Sequence, residues 1–491
     1  MNFSQYYTAN DHFTIIPAVM LALFGCAILL FDFWIFPDPR QRKWLLIFVV
    51  LAEIFTGVGL YRQQAWLAGQ SPSMLQGFGG AVTLDGFSVF FNWIFLVAAL
   101  IVAVMSYQYL EISNEHHGEY YGLILFAQCG MYFLATGTDL VVLFIGLELM
   151  ALSFYVMVGF LRADKRSNEA ALKYLLLGAF STGFLAYGFS VLYGLAGSTK
   201  LQDIGDAIAA RPAWDPVVFL ALATTSVGLL FKIAAAPFHM WAPDAYEGAP
   251  TPVTAYLSVA SKAASFAFLL RLFNGPLQSL SAEWEPILAF IAILTLTIGN
   301  LAAINQTNIK RLLAYSSVSH AGYMLLGLVA NNAMGTNGIL VYLMVYTFMN
   351  LGAFAVITAM RRQGIIGDEL EDMAGLMHKN PGYAMLMLVF LLSLAGIPPT
   401  AGFLGKYYIF LALIQSGHYG LAVVATLYVA VAIYYYFKIV RSMFIREETE
   451  RAPAASSLGL RLALGVTGLL TLVIGIYPEP FLELAKTSLV R

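Results

Sequence analysis

Fourteen apolar stretches, each near the ~20 residues that one bilayer crossing takes, follow one another along this chain with short links between them. They lie near 14–36, 44–61, 86–108, 119–137, 139–161, 170–195, 217–247, 251–273, 285–304, 310–330, 337–361, 382–415, 420–444 and 459–478. In hydrocarbon every backbone polar group needs a partner inside the segment, so each stretch reads as a helix. The 491 residues are 60% hydrophobic and 11% charged, with a mean hydropathy of +0.76. A soluble domain carries about 25% charge. The expected fold class is therefore an all-α polytopic membrane protein with about 14 transmembrane helices. The longest links, 62–85, 196–216 and 362–381, are too short for a core of their own. The N-terminal MNFSQYYTANDHF has no basic segment and its apolar run continues to Phe36, which reads as a first span and not a cleaved signal peptide.

Two spans are long and broken, the seventh at PFHMWAP and the twelfth at GIPPTAGFLGK. They sit five places apart, an odd offset, so the halves holding them run in opposite senses. Spans 4–8 and 9–13 then form two inverted five-helix repeats with discontinuous helices 7 and 12, a common transporter plan. Lys232 and Lys406 take comparable places in this scheme. The expected units are a three-helix segment 1–118, a first repeat 119–273, a second repeat 285–444 and a last span in 445–491. Of the 26 Lys and Arg, sixteen between Arg40 and Arg461 fall on one side of the series. Arg40, Arg362, Arg446 and Arg451 are among them. Six fall on the other side: Arg62, Lys200, Arg211, Arg271, Lys486 and Arg491. The excess belongs inside, so both termini are expected to face outward.

Four lysines, Lys173, Lys232, Lys262 and Lys406, stay within spans. A charge at the bilayer centre costs at least ~2.5–3.5 kcal/mol and needs a reason. At 1.5 Å per helical residue, Glu148 and Lys262 each lie roughly 14 Å deep, and Lys232 is midway along the broken seventh span. Pairing is the cheapest arrangement, and Glu148 with Lys232 is the expected pair. A static bridge locking two helices is the plainer alternative, which the further lysines at breaks weigh against. A lysine whose partner moves away releases its proton readily. Lys173 is only a few residues inside its span and could snorkel. Lys406 follows the Pro398–Pro399 break as a candidate exit carrier. His239 follows Lys232 by seven residues, and His320 stands among Ser316, Ser317 and Ser319 deep in the tenth span; either could relay protons or simply meet a carbonyl. Glu53 could reach a partner helix or a water path. Asp244 and Glu247 are expected to stabilise the distal turn of the broken span, and Asp85 and Asp139 to favour helix N-termini.

Cys26 and Cys129 lie in apolar runs with no CxxC pair, so no iron–sulfur or haem attachment is read here, and no metal or cofactor site in the chain. No basic tail points to nucleic acid.

FKIAAAPFHMWAPDAYEGAPTPVTAYLSVASK, NQTNIKRLLAYSSVSHAGY and LAGIPPTAGFLGKYY together resemble the antiporter-like N subunits of respiratory complex I, the proton-pumping NADH:quinone oxidoreductase. The resemblance covers essentially all fourteen spans, and KIAAAPFHMWAPDAYEGAPTPV is its most specific part. A chain ending soon after the last span, and lysine at 406, set it apart from the sister L and M subunits. The resemblance implies a Glu148–Lys232 pair, a central Lys262, a terminal Lys406, and accessory roles for Lys173, His239 and His320. No carboxylate in span ten corresponds to Glu148; His320 and the serines stand there. It also implies a proton-translocating subunit without a redox centre, with NADH, FMN, iron–sulfur clusters and quinone held elsewhere in the complex. Partners would be the other membrane subunits, sister antiporter-like ones included, with lipid, protons and water. A bacterial inner membrane, with both termini periplasmic, is the expected location. The alternatives are a subunit of a multisubunit Na+/H+ antiporter, a scaffold that does not pump, and a quinone reductase, for which the chain has no redox motif.

Overall fold

The computed structural model describes residues 8–36, 38, 41–70, 73–361, 367–445 and 456–489. Arg40, Arg362, Arg446, Arg451 and Arg491 from the count of sidedness lie outside them. The chain begins with α1 (Ala9–Trp34) and α2 (Leu45–Ala68), then a hairpin of β1 (Met74–Gly77) and β2 (Val82–Asp85). There follow α3 (Gly86–Ser113), α4 (Gly118–Thr136), α5 (Leu140–Val158), α6 (Lys165–Ala196) and a short α7 (Leu201–Ala209). The middle of the chain is α8 (Pro216–Lys232), α9 (Trp241–Gly248), α10 (Thr251–Tyr256), a π-helical turn (Leu257–Ser261) and α11 (Lys262–Phe273). The second half is α12 (Ser281–Ile304), α13 (Ile309–Val329), α14 (Ala333–Met360), the single-turn α15 (Leu376–Lys379), α16 (Pro381–Ala395), α17 (Ala401–Gln415), α18 (Tyr419–Ile445), α19 (Leu458–Ile476) and α20 (Glu479–Thr487).

Eleven helical segments among the described residues are long and apolar enough to cross a membrane. The 19-residue α4 and the two interrupted spans, α8 with α9 and α16 with α17, complete the expected fourteen. The longer links are not featureless. β1 and β2 pair antiparallel in the register Met74↔Asp85 to Gly77↔Val82. α7 buries Leu201, Ile204 and Ile208, one face at helical spacing, and leaves the opposite face wet.

Helices in lipid gain little from apolar burial against one another, so they pack where small residues let backbones approach. In α4 and α5 a Cβ on Gly130 would lie 2.5 Å from Met150 N and 2.6 Å from the Gly146 carbonyl. In α12 and α13 a Cβ on Gly299 would lie 2.6 Å from Ser319 N, and one on Gly322 3.1 Å from Leu296 N. These glycine-packed pairs open the two five-helix sets, and the interrupted span takes the fourth place in each. Lys232 and Lys406, however, do not match across the sets. Lys232 is the last residue of α8, before its break, whereas Lys406 is the sixth residue of α17, after its break.

Charged groups collect at the two ends of the helices. At one end Arg166 pairs with Glu247 at 3.0 Å, and Arg311 with Asp244 at 2.8 Å and Glu247 at 3.0 Å. Asp244 and Glu247 therefore bind α9 to α6 and α13 and do more than steady their own turn. Lys310 is buried, its ammonium donating to the Ala249 carbonyl at 2.6 Å, and is no surface charge. At the other end Arg271 makes a two-pronged contact with Asp85 at 2.7 and 2.8 Å. Asp85 and Asp139 also cap α3 and α5, accepting from Ser88 N and Val141 N at 2.8 Å each. Asp11 accepts from the Phe78 amide beside the hairpin, and α20 packs against Gly86, so both ends of the described chain lie near this face.

Candidate functional site

The interruption after α8 begins at Ala234, whose φ of 58° is left-handed and costs a residue with a Cβ about 1–2 kcal/mol. The surroundings hold it there by satisfying the freed backbone. Ala235 N reaches back to the Leu230 carbonyl at 2.9 Å, Trp241 Nε1 donates to the Phe231 carbonyl at 2.8 Å, and Ala236 N donates to Thr295 Oγ1 at 3.0 Å. Trp241 also stacks on Tyr174 at 4.6 Å, and Tyr174 meets Tyr155 edge-on at 4.7 Å. This aromatic wall surrounds Lys232, which is 5% exposed.

Lys232 donates to the Tyr155 hydroxyl at 3.4 Å, with its ammonium 5.7 Å from the ring centre. Glu148, seven residues before Tyr155 on the same face of α5, accepts instead from Thr182 Oγ1 of α6 at 2.8 Å. The expected Glu148–Lys232 ion pair is thus open here, no contact of 4.0 Å or less joining the two. The Tyr155 and Thr182 hydroxyls are the hydrogen-bond partners in its stead. Gly178 makes this possible, because a Cβ there would stand 2.0 Å from the Tyr155 hydroxyl.

Lys262 opens α11 directly after the π-helical turn, an irregularity frequent at functional sites. It is 2% exposed and donates to both the carbonyl and the hydroxyl of Ser317, each at 2.5 Å. One turn further along α13, His320 uses both ring nitrogens: Nδ1 lies 2.6 Å from the Tyr342 hydroxyl and Nε2 3.1 Å from the Tyr436 hydroxyl. A neutral imidazole has one donor and one acceptor, and a phenol can play either part, so a proton can shift through this triad by changing tautomer. Tyr436 is tied to Ser316 Oγ at 2.5 Å, and Asn300 to Ser319 Oγ at 2.8 Å, which fixes the hydroxyls in place. His320 lies within electrostatic reach of both Lys262 and Lys406.

Lys406, 3% exposed, donates to the Leu394 and Ala395 carbonyls at 3.1 and 2.9 Å and lies 4.9 Å over the Tyr323 ring. It neutralises the negative end of α16 where Gly396, at φ 84°, turns the chain. A side chain at Gly396 would also come within 2.8 Å of Lys406 Cδ. Gly405, adjacent to Lys406, packs on Tyr342, where a Cβ would lie 2.9 Å away. The second half therefore places three polar groups along the bundle, Lys262 with Ser317, His320 with Tyr342 and Tyr436, and Lys406 at the end of α16. None of the three buried lysines has a carboxylate within 4.0 Å among the described residues.

Two candidates stand apart. Lys173 is 45% exposed and pairs with Glu169 at 2.7 Å and Asp244 at 3.1 Å, so it belongs to the charged end of the bundle. His239 is half-buried at the outer edge of the first break, next to Met240 at 72% exposure, and its Nδ1 has no partner among the described residues. Tyr155, Thr182, Tyr342 and Tyr436 were missed by sequence reasoning. Tyr155 carried a signal, its seven-residue spacing from Glu148; Tyr436, one of three consecutive tyrosines, carried none.

The family model for the transmembrane region described as NADH:quinone oxidoreductase/Mrp antiporter matches residues 137–432, which hold Glu148, Lys232, Lys262, His320 and Lys406. The chain is 80% identical to NADH-quinone oxidoreductase subunit N 2 of Solibacter usitatus over 100% of both chains. It is 54% identical to subunit N 1 of Koribacter versatilis, covering 98% of this chain and 96% of that one. A chain of respiratory complex I from Thermus thermophilus with bound aureothin superposes with a TM-score of 0.79 at 34% identity, over 96% and 99% of the two chains. A chain of the Mrp complex from Dietzia has the same fold, with a TM-score of 0.85 at 22% identity over 98% and 97%. The chain belongs to the NADH:quinone oxidoreductase/Mrp antiporter family, among the N subunits of NADH-quinone oxidoreductases.

Proposed function

We propose that this subunit translocates protons through a midplane relay of Glu148, Lys232, Lys262, His320 and Lys406, driven by redox chemistry in other subunits of the complex. The observation that carries this reading is the set of three buried lysines, held by hydroxyls, carbonyls and aromatic faces, with the His320–Tyr342–Tyr436 group buried in the same half as Lys262 and Lys406. A carboxylate closing on Lys232 favours its ammonium; moving away to Thr182 favours release of the proton toward Lys262. From there the proton passes His320 and reaches Lys406. Moving one charge against 100 mV takes ~2.3 kcal/mol, which one charged hydrogen bond of ~1.5–3 kcal/mol made and broken can match. Lys173 and His239 take accessory parts at most, as surface-side groups.

The repeats 119–273 and 285–444 act as the two half-channels, with 1–118 and 445–491 flanking them. The chain lies in a bacterial inner membrane with both termini periplasmic, beside sister antiporter-like subunits. NADH, FMN, iron–sulfur clusters and quinone belong to the rest of the complex. The test is proton uptake by proteoliposomes of the assembled complex carrying His320→Phe or Lys406→Ala, in Na+-free medium. Loss of pumping with assembly intact supports the relay. Pumping that appears only when Na+ is added would favour the antiporter reading, and pumping unchanged in both variants would favour a scaffold.

A further inference from the structure

A second group of buried polar side chains lies in α1–α4, apart from the lysine line. Glu53, midway along α2 and 2% exposed, accepts from Gln128 Nε2 of α4 at 3.1 Å. Its other oxygen has no partner among the described residues, and neither do Thr56 Oγ1, Gln128 Oε1 or either amide atom of Asn92 on α3. No cation among the described residues lies within 4.0 Å of Glu53. Thr56, Asn92 and Gln128 line a cavity with about 10 Å³ of room for the centre of a water-sized sphere, close to the volume that admits one water. Tyr132 on its wall meets Gln63 Nε2 at 3.3 Å, and Gln63 continues to the Phe13 carbonyl at 2.7 Å, near the start of α1.

A buried polar atom left unpaired costs ~1–3 kcal/mol, and four such atoms on the cavity-lining Thr56, Asn92 and Gln128 repay a water that makes two to four hydrogen bonds. An isolated carboxylate with one amide donor is the costliest form such a place could hold, whereas a neutral acid is tied to the cavity through Gln128, which both bonds Glu53 and lines the wall. We propose that Glu53, Thr56, Asn92 and Gln128 form a water-holding proton site in the N-terminal helix group, with Glu53 carrying the proton.

The test is infrared spectroscopy of the assembled complex, wild type against Glu53→Gln, in H2O and D2O. The wild-type-minus-variant spectrum is expected to contain a protonated-carboxyl stretch that moves to lower wavenumber in D2O; its absence overturns the proposal. Asn92→Leu, which removes two of the polar atoms facing the cavity, is expected to move that band to higher wavenumber, and an unmoved band would show that no water is shared. Should Glu53→Gln fail to assemble, the wild-type density map decides: ordered water within hydrogen-bond distance of Asn92 and Thr56 is expected, and a dry cavity overturns it. None of these readouts depends on pumping, so they stand or fall separately from the relay.

Discussion

Gly178→Ala is the substitution that most directly probes the first-half lysine. The new Cβ would stand 2.0 Å from the Tyr155 hydroxyl, 2.7 Å from Cζ and 2.9 Å from Cε1. The hydroxyl must retreat by about 1.4 Å to reach the 3.4 Å of ordinary contact. Tyr174, edge-on at 4.7 Å, and the backbone of α6 leave the ring few ways to do so. The contact to Lys232, already 3.4 Å long, is then broken. A hydrogen bond to a charged group contributes ~1.5–3 kcal/mol, and at this length the lower figure applies. Each 1.36 kcal/mol is about tenfold in rate, so redox turnover coupled to pumping should fall by roughly ten. Tyr155→Phe alone should cost about as much. Adding Gly178→Ala to the Tyr155→Phe background should then cost less than about half of its penalty in the wild type, because the atom in closest conflict is gone. An equal penalty in both backgrounds would refute the steric argument.

Other consequences follow from the ends of the bundle. Arg271→Ala leaves Asp85 without its two-pronged partner and empties the place over the Phe87 ring, 4.6 Å away. Breaking such a pair costs ~3–5 kcal/mol, so the melting temperature or yield of the complex should drop markedly; an unchanged melting curve would contradict it. His116, in the link between α3 and α4, is held down to about 4 by burial and then by the nearby Lys43, below its ordinary 6.5. The folded loop binds fewer protons than the unfolded one, so its stability is complete above pH about 6.5 and declines as pH falls toward about 4. Hydrogen exchange of residues 114–117, corrected for intrinsic rates, should rise over that window, and His116→Phe should remove the rise.

The spans and both interruptions were legible because lipid imposes one rule on every backbone group, and because proline and glycine mark where that rule is met by neighbours. The hairpin at Met74–Asp85 and the amphipathic α7 were not read, since each is too short for periodicity to stand out from a link. Lys232, Lys262 and Lys406 announced themselves as charges in apolar runs. Their partners did not. Tyr155, Ser317 and Tyr436 are ordinary residues in a chain rich in tyrosine and serine, and only the packing of α5 on α6, or of α13 beside α14 and α18, turns their hydroxyls toward a lysine or His320. The Glu148–Lys232 pair was expected from depth and from the family resemblance. Depth carries no information on rotamers, and Thr182, on a third helix, offers the carboxylate another hydrogen bond.

In the proposed relay Lys262 stands between Lys232 and His320. Proton pumping and redox turnover should be recorded together in proteoliposomes of the assembled complex carrying Lys262→Ala. The account predicts that pumping is lost and turnover falls steeply with assembly intact. Pumping at the wild-type ratio with full turnover would contradict it and leave a scaffold in its place.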